Sequence, residues 1–262
     1  MKRQPAIRST AQWMSIATAA ACAVAMSVGA IAAQGRGGRA GGPPPPPVDP
    51  HELSGFWELP PDGHDGRNIP AAALVAGVTR QKIDAVAAHD AKAYRWCNNL
   101  GVPALMGLAR PFDIRINSRF MIIVPEYGAA MNRWIYLERA KHIPADEFEP
   151  GINGDSIGHW EGNVLVTETT GFNPDRGILA IPGGGFKTAG SKLVERFRLL
   201  KNGAQLQVIS TWTDPMVFRT PHTYEYRYNR LPRDYEARPS ATCDPYDDER
   251  AQLFSGPPKI TP

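Results

Sequence analysis

The side chains best suited to chemistry are a histidine and several carboxylates on predicted β-strands. His159, Glu168 and Glu126 are the candidate catalytic residues. Imidazole titrates near neutral pH and a neighbouring carboxylate fixes its tautomer, so such a pair can act as a general acid or base. The alternative is that these are surface strand residues, accompanied by one structural ion pair such as Glu195 with Arg133.

A second group of residues is suited to binding a small molecule. The candidate ligand-binding residues are Arg133, Trp134, Tyr136, Trp160, Glu195 and Tyr226. A closed barrel of about eight strands can hold one small ligand, and a lining of tryptophan and tyrosine favours an apolar or aromatic compound. The predicted partner is therefore a small apolar or aromatic molecule.

Residue spacing argues against several other chemistries. The sequence has no His-x-x-x-His, His-Glu-x-x-His or Cys-x-x-Cys pattern, so no metal site is predicted. It has no Gly-x-Ser-x-Gly elbow for a serine nucleophile. The glycines 183–185 precede neither a helix nor a Lys-Ser/Thr pair, so they do not form a phosphate loop. We therefore predict no cofactor.

Alternation of apolar and polar residues predicts a series of short strands that would position these groups. The predicted strands are 112–116, 120–124, 132–137, 156–160, 163–169, 192–199, 205–212 and 222–228. Turns are predicted at 161–163 and at 201–203, where Asn-Gly tolerates positive φ. Many short strands with such turns favour an all-β fold, an antiparallel, lipocalin-like β-barrel with one N-terminal helical segment.

The helical segment follows Thr79, which can cap it. Its apolar residues recur at spacings of three and four and are Ile83, Val86, Ala87, Ala91 and Tyr94. The helix is predicted to end near Trp96. His89 and Asp90 lie off this stripe and are predicted to face solvent.

Two patterns resemble known families. Gly55-Phe56-Trp57 resembles the Gly-x-Trp element in the first strand of lipocalin-like barrels, where the tryptophan closes one end of the barrel. The run 154–173, Gly-Asp-Ser-Ile-Gly-His-Trp-Glu-Gly-Asn-Val-Leu-Val-Thr-Glu-Thr-Thr-Gly-Phe-Asn, resembles the signature of a large, mostly uncharacterised family of secreted bacterial proteins. That resemblance covers roughly residues 53–243. It implies export and a β-rich fold, and it supplies no activity.

The chain also departs from this second pattern. The family often carries histidine where this chain has Asp155, and a His-Ser pair where residues 186–188 are Phe-Lys-Thr. Any role of those histidines therefore does not transfer to this chain. His142 does match a family histidine.

The N-terminal residues have the pattern of a cleavable leader. Lys2, Arg3 and Arg8 precede an uncharged stretch at 13–33, and small residues place cleavage after Ala32 or Ala33. The alternative is a retained transmembrane helix. We predict a signal peptide at 1–33, a Gly/Pro-rich disordered linker at 34–50 and one β-rich domain at 51–262. The product would be periplasmic or secreted, with no stable membrane span after cleavage.

Charge and cysteine content limit the possible partners. Loss of the leader removes three cations and no anion, which takes the net charge of +3 to about zero. A neutral chain without a basic stripe predicts no nucleic-acid partner. Cys97 and Cys243 could pair in an oxidising compartment. The alternative is two separate buried thiols.

Three functional hypotheses remain open from the sequence. The first is an exported binding protein for a small apolar or aromatic molecule. The second is a cofactor-independent lyase, isomerase or hydrolase that uses His/Glu acid-base chemistry on such a molecule. The third is an envelope protein that contacts other proteins through its linker and exposed tyrosines.

Overall fold

The computed structural model describes residues 48–65, 69, 73–95, 100–126, 132–174 and 181–238. Nine strands in these ranges form a closed barrel in sequence order, with β9 paired to β1. The strands are β1 Gly55–Glu58, β2 Phe112–Ile116, β3 Phe120–Pro125, β4 Arg133–Tyr136, β5 Asp155–Glu161, β6 Val164–Thr170, β7 Lys192–Leu200, β8 Gln205–Thr213 and β9 His222–Arg230. The predicted β-barrel fold with one helical segment is confirmed.

Neighbouring strands are antiparallel except β4 and β5, which are parallel at one pair, Tyr136 and Ile157. The predicted barrel was antiparallel throughout. A two-residue hairpin can join only antiparallel strands, whereas parallel strands need a long crossover connection. Residues 137–154 provide that connection, so the barrel is mixed at this seam.

Two tight turns, one from β5 to β6 and one from β7 to β8, lie where the sequence predicts them. Gly162 has φ 56° between β5 and β6, and Lys201, Asn202 and Gly203 have φ 50°, 51° and 81° between β7 and β8. Asn and Gly adopt this left-handed conformation more readily than most other residues. These turns set the register that carries the polar residues of the interior.

Side-chain alternation sends one face of each strand into the barrel. On β9, Tyr224, Tyr226 and Tyr228 are buried, while Arg227 is exposed and Glu225 half-buried. This agrees with the alternation predicted for the strand. On each strand, residues two positions apart therefore line the interior.

Trp57 on β1 is buried where the first strand meets the last. Its side chain is fully buried, its indole nitrogen donates to the Leu53 carbonyl at 3.0 Å, and the Arg230 guanidinium lies 4.2 Å from its ring centroid. Arg230 also donates to the carbonyls of Ser54 and Gly203. These contacts fix the N-terminal strand against the last strand.

The described helix α1 spans Arg80–Arg95, and the Thr79 hydroxyl accepts from the Lys82 amide at 3.3 Å, as a cap does. Ile83 and Val86 are buried as predicted, and Ala87 is exposed. Asp90 was predicted to face solvent and is instead buried, with 6% of its surface exposed. It follows Val86 by four residues, so it lies on the same helix face.

Several sequence-based predictions lie outside the described residues. These are the leader at 1–33, most of the linker at 34–50 and both cysteines, Cys97 and Cys243. The side chains of Ala91 and Tyr94 are also outside the described set. No helix in the described ranges is long and apolar enough to cross a bilayer.

Candidate functional site in the barrel interior

A row of polar side chains crosses the barrel interior on four adjacent strands. Thr167 on β6 pairs with Glu195 on β7, Glu195 with Ser210 on β8, and Ser210 with Tyr224 on β9. All four residues are buried. Because paired residues of neighbouring strands point to the same face, this register places the four side chains side by side inside the barrel.

Arg133 on β4 joins this row and forms the central ion pair of the site. Its side chain is fully buried, and its Nη2 donates to Glu195 Oε2 and, at 3.0 Å, to Thr169 Oγ1. Thr167 Oγ1 donates to the same Glu195 oxygen at 3.3 Å. The ion pair that the sequence suggests between Glu195 and Arg133 is confirmed.

The Arg133 guanidinium retains hydrogen-bonding capacity. Its Nε and Nη1 atoms are buried and have no acceptor among the described residues. The indole Nε1 of Trp212 is also buried and has no acceptor among the described residues. Buried donors are normally satisfied, since leaving one unpaired costs about 1 to 3 kcal/mol. Three buried nitrogen atoms, two of Arg133 and one of Trp212, therefore lack an acceptor among the described residues.

Aromatic rings form much of the wall beside this polar row. Tyr226 contacts Tyr224 and Tyr228, with ring centroids 5.6 and 5.9 Å apart, and Phe112 meets Tyr228 edge-on at 4.9 Å. Burial raises the pKa of all three tyrosines, and the nearby Glu195 carboxylate raises it further. Their hydroxyls therefore remain neutral donors at physiological pH.

The segment around the short 3-10 helix Ala104–Gly107 packs against these tyrosines. The Tyr228 hydroxyl donates to the Met106 carbonyl at 2.7 Å. A Cβ added at Gly107 would lie 2.9 Å from the Tyr226 hydroxyl, so only glycine fits there without displacing it. The tyrosine hydroxyls are thus held near this segment rather than in bulk water.

Lys187 is a buried cationic residue to which no sequence pattern assigns a role. It is 2% exposed, and its Nζ donates to the Val102 carbonyl at 2.9 Å and lies 5.6 Å from the Phe172 ring. Burial lowers the pKa of Lys187 to about 8, an effect that the Asp90 carboxylate partly offsets. The signal that could have found part of this group was the helical spacing of Ile83, Val86 and Asp90.

The candidate catalytic residues His159 and Glu168 lie on the outer face of the barrel. His159 has a 67% exposed side chain, with Nε2 3.3 Å from Glu161 Oε1. Glu168 instead contacts Lys192 Nζ at 2.6 Å and His142 Nε2 at 3.4 Å. The structure therefore gives Glu168 a histidine partner, but the partner comes from the β4–β5 connection rather than from β5.

The third candidate catalytic residue, Glu126, lies apart from both. Its side chain is buried at the end of β3, and its Oε2 accepts from the Tyr235 hydroxyl at 3.0 Å. Its Oε1 atom has no partner among the described residues. Glu126 therefore contacts neither of the other two.

The candidate ligand-binding residues divide between the two faces of the barrel. Arg133, Glu195 and Tyr226 are inside, and Trp160 is half-buried, with its ring 4.2 Å from that of His51. Trp134 and Tyr136 point outward and are 45% and 41% exposed. On β4 the buried positions are 133 and 135, so alternation sends both aromatic side chains to the outer face.

A second polar cluster fastens the β4–β5 connection to the outside of the barrel. Asp155 accepts from Arg139 Nη2 at 2.5 Å, from His142 at 2.8 Å and from the Ile143 amide at 3.2 Å. Burial alone raises the pKa of Asp155, but these hydrogen bonds outweigh it and hold the pKa below its usual value. Asp155 thereby fixes the His142 ring, whose Nε2 faces Glu168.

Neither a metal-binding cluster nor similarity to a known protein indicates what this site does. In the ranges that the structure describes, no three His, Cys, Asp or Glu side chains are grouped so as to hold a metal ion. The chain matches no protein-family model and no curated protein.

Proposed function

We propose that the barrel interior binds a small, uncharged aromatic molecule that carries an oxygen acceptor. The observation that carries this proposal is the fully buried Arg133, with two nitrogen atoms that lack an acceptor among the described residues. A ligand carbonyl or hydroxyl oxygen placed there would accept from a charged donor. Such hydrogen bonds contribute about 1.5 to 3 kcal/mol, more than neutral ones.

The charges of the site favour a neutral ligand. Arg133 and Glu195 are 0% and 1% exposed and form an ion pair, so their charges cancel inside the barrel. A charged ligand would add an uncompensated charge to a water-poor interior, which is costly unless the charge is paired. The neighbouring Tyr224, Tyr226 and Tyr228 rings supply the apolar and aromatic contacts.

Binding can be tested with three matched probes measured by calorimetry and by protein NMR. Benzyl alcohol has an aromatic ring and an oxygen acceptor, toluene lacks the acceptor, and benzoate carries a charge. We expect benzyl alcohol to bind about tenfold or more tightly than toluene, the factor that 1.4 kcal/mol represents. Benzoate is expected to bind more weakly than benzyl alcohol. Saturable shifts should fall on residues of the interior.

The variant that tests the anchor removes both charges together, because a single change would leave the other charge buried alone. Arg133→Met combined with Glu195→Met should abolish the preference for benzyl alcohol over toluene. Arg119→Met is the matched control, because Arg119 is 71% exposed and pairs with Glu138 on the surface. Equal binding of the two probes by the unaltered protein would contradict the proposal.

A second candidate function is supported by the His142 cluster. Asp155 lies 2.8 Å from His142 Nδ1, and Glu168 Oε1 lies 3.4 Å from His142 Nε2, which is buried and forms no hydrogen bond with the described residues. Carboxylates near both ring nitrogens can relay a proton, and Arg139, which also binds Asp155, lines a groove of about 320 Å³. This candidate is a cofactor-independent acid-base enzyme. Exchange of the methyl protons of acetophenone in D₂O, followed by NMR, tests it: His142→Gln should abolish protein-catalysed exchange, and His159→Gln should not.

We also propose that the protein is exported and belongs to the secreted family that its 154–173 run resembles. Support comes from the cationic start, the apolar stretch at 13–33 and the small residues before the expected cleavage point. N-terminal sequencing of protein recovered from the periplasm or the medium should begin at residue 33 or 34. Recovery of the uncleaved chain in the membrane fraction would contradict export by cleavage.

A further inference from the structure

A cleft of about 550 Å³ lies beside the start of β1. Its walls come from the segment that leads into β1, the β7–β8 turn, the end of β9 and one residue of β2. The interior residues Arg133, Glu195 and Tyr226 do not line it. Its volume lies within the range of about 300 to 1,000 Å³ that small-molecule sites occupy. The cleft is therefore a further candidate site, separate from the polar row of the interior.

Arg230, at the end of β9, forms one wall of this cleft. Its guanidinium lies 4.2 Å from the Trp57 ring centroid and donates to three backbone carbonyls of the cleft wall. A Cβ added at Gly55 would lie 2.8 Å from Arg230 Nη1, so the glycine of the Gly-x-Trp element leaves room for this guanidinium. Each terminal nitrogen of a guanidinium carries two hydrogens and each donates here to one carbonyl, so Nη1 and Nη2 both retain a donor.

Arg233 lines the same cleft from the turn that follows β9. The Tyr235 amide donates to the Pro232 carbonyl at 3.1 Å, and the Leu231 amide donates to the Phe56 carbonyl at 2.9 Å. These two bonds fix the backbone on both sides of Arg233, while its side chain is exposed. The position of this arginine at the cleft is therefore set by the fold.

The charges around the cleft leave an excess of positive charge. Of the described residues that line it, three are arginines, Arg115, Arg230 and Arg233, and one is acidic, Glu52. Arg115 already pairs with Asp113 at 2.6 Å, whereas neither of the other two arginines forms a salt bridge with a described residue. Burial lowers the pKa of Arg230, and the Arg233 charge lowers it further while Glu52 opposes both. An anion bound between the two guanidinium groups would relieve their repulsion.

We propose that this cleft binds the phosphate group of a small organic phosphate monoester. Such a group offers three acceptor oxygens and carries a charge of about −1.5 to −2 at pH 7, so it can engage both guanidinium groups. A carboxylate, in contrast, is satisfied by the fork of a single arginine. The apolar side chains of Val48, Phe56 and Leu231 also line the cleft and would contact the organic part of the ester.

Titration of the full protein with phenyl phosphate, followed by calorimetry and protein NMR, tests the proposal. We expect saturable binding with the largest amide shifts at residues 54–56, 203–204 and 230–233. Arg233→Gln should weaken binding about tenfold or more, because it removes a charge-assisted contact. Arg233→Lys should bind with intermediate affinity, because lysine keeps the charge but loses the planar fork.

Arg196→Gln is the matched control and should leave the affinity for phenyl phosphate unchanged. Arg196 is 44% exposed on β7, pairs with Glu161 and does not line the cleft. Arg233 and Arg196 are both exposed, so both variants should fold, and they change the net charge equally. Equal loss of affinity in the two variants would show a general charge effect and would overturn the proposal.

Three further probes identify the group that the cleft recognises. Inorganic phosphate should bind more weakly than phenyl phosphate because it lacks an apolar part, and benzoate should bind more weakly because it carries one charge and two oxygens. Phosphatidylcholine vesicles that contain phosphatidic acid present the same phosphate group on a lipid. Pelleting of the protein with these vesicles without binding of phenyl phosphate would overturn the proposal, as would shifts that fall on residues of the interior.

Discussion

Two Arg–Glu ion pairs in the same barrel have opposite surroundings. Arg133 and Glu195 meet inside the barrel, where their side chains are 0% and 1% exposed, and Arg119 and Glu138 meet on the surface at 71% and 55% exposure. The chemical groups are identical. What differs is the water around them, and this determines how much each pair costs to desolvate and how strongly salt screens it.

The interior pair is expensive to bury. Desolvation of two charges costs several kcal/mol per ion, and their attraction offsets this cost only when the geometry is good and further hydrogen bonds are formed. Thr167 and Thr169 supply such bonds, yet two nitrogen atoms of Arg133 remain without an acceptor among the described residues. These two unpaired donors are the observation on which the proposed binding function rests.

The largest expected effect follows from breaking the interior pair. Glu195→Gln keeps the shape of the side chain but leaves the buried Arg133 guanidinium uncompensated. We expect the free energy of unfolding to fall by about 3 to 5 kcal/mol, as for other broken buried pairs. Urea unfolding followed by tryptophan fluorescence measures this change. A loss no larger than that of Glu138→Gln would show that water reaches Arg133.

The combined change Arg133→Met and Glu195→Met sharpens the same comparison. It replaces both charges by apolar groups of similar length, a change that is often neutral or stabilising in other proteins. We expect recovery of most of the stability lost in Glu195→Gln, together with loss of benzyl alcohol selectivity. Recovery of stability with selectivity intact would remove Arg133 from the binding site.

The next effect concerns the tyrosine side of the interior. Tyr228→Phe removes the donor to the Met106 carbonyl and should lower the free energy of unfolding by about 1 to 3 kcal/mol. Because burial raises the pKa of Tyr228, its contribution is complete below the unfolded pKa of about 10 and is lost as pH rises through the folded value. The difference between Tyr228→Phe and the unaltered protein should therefore shrink in alkaline urea titrations.

Alternation and turn chemistry predict most strands of the barrel, because each strand has one face toward solvent and one buried face. Alternation alone does not show which face is buried when one face carries a charged residue and the other carries aromatic residues. On β4, hydropathy favours Trp134 and Tyr136 inside, but the interior position belongs to Arg133 because Glu195 faces it across the barrel. That contact joins strands 62 residues apart, beyond the reach of any local pattern.

The outer cluster was harder to predict for a related reason. The sequence pairs Glu168 with His159 on the neighbouring strand, but its histidine partner in the structure is His142 from the β4–β5 connection. No period or motif reveals where a long crossover lies. Asp90 differs, because it lies seven residues after Ile83 and four after Val86, which places it on the same buried face of the helix. The functional roles assigned to these residues remain predictions.

Removal of the Asp155 charge should have an intermediate effect. Asp155→Asn weakens charge-assisted bonds from Arg139 and His142, which are 27% and 20% exposed and can turn partly to water. We expect a loss of about 1 to 2 kcal/mol at pH 7. Because the folded pKa of Asp155 is lowered, this contribution is present above the unfolded pKa of about 3.9 and disappears as pH falls through the folded value. The two proteins should converge in stability in strong acid.

The smallest effect belongs to the surface pair and completes the comparison. Glu138→Gln removes the charge opposite Arg119, where both side chains are mostly in water. Exposed pairs contribute at most about 1 kcal/mol, and salt screens them over a Debye length of about 8 to 10 Å. Unfolding in low and high salt should show a loss that vanishes at high salt. The loss in Glu195→Gln should persist there, because ions do not reach a pair enclosed by the barrel wall.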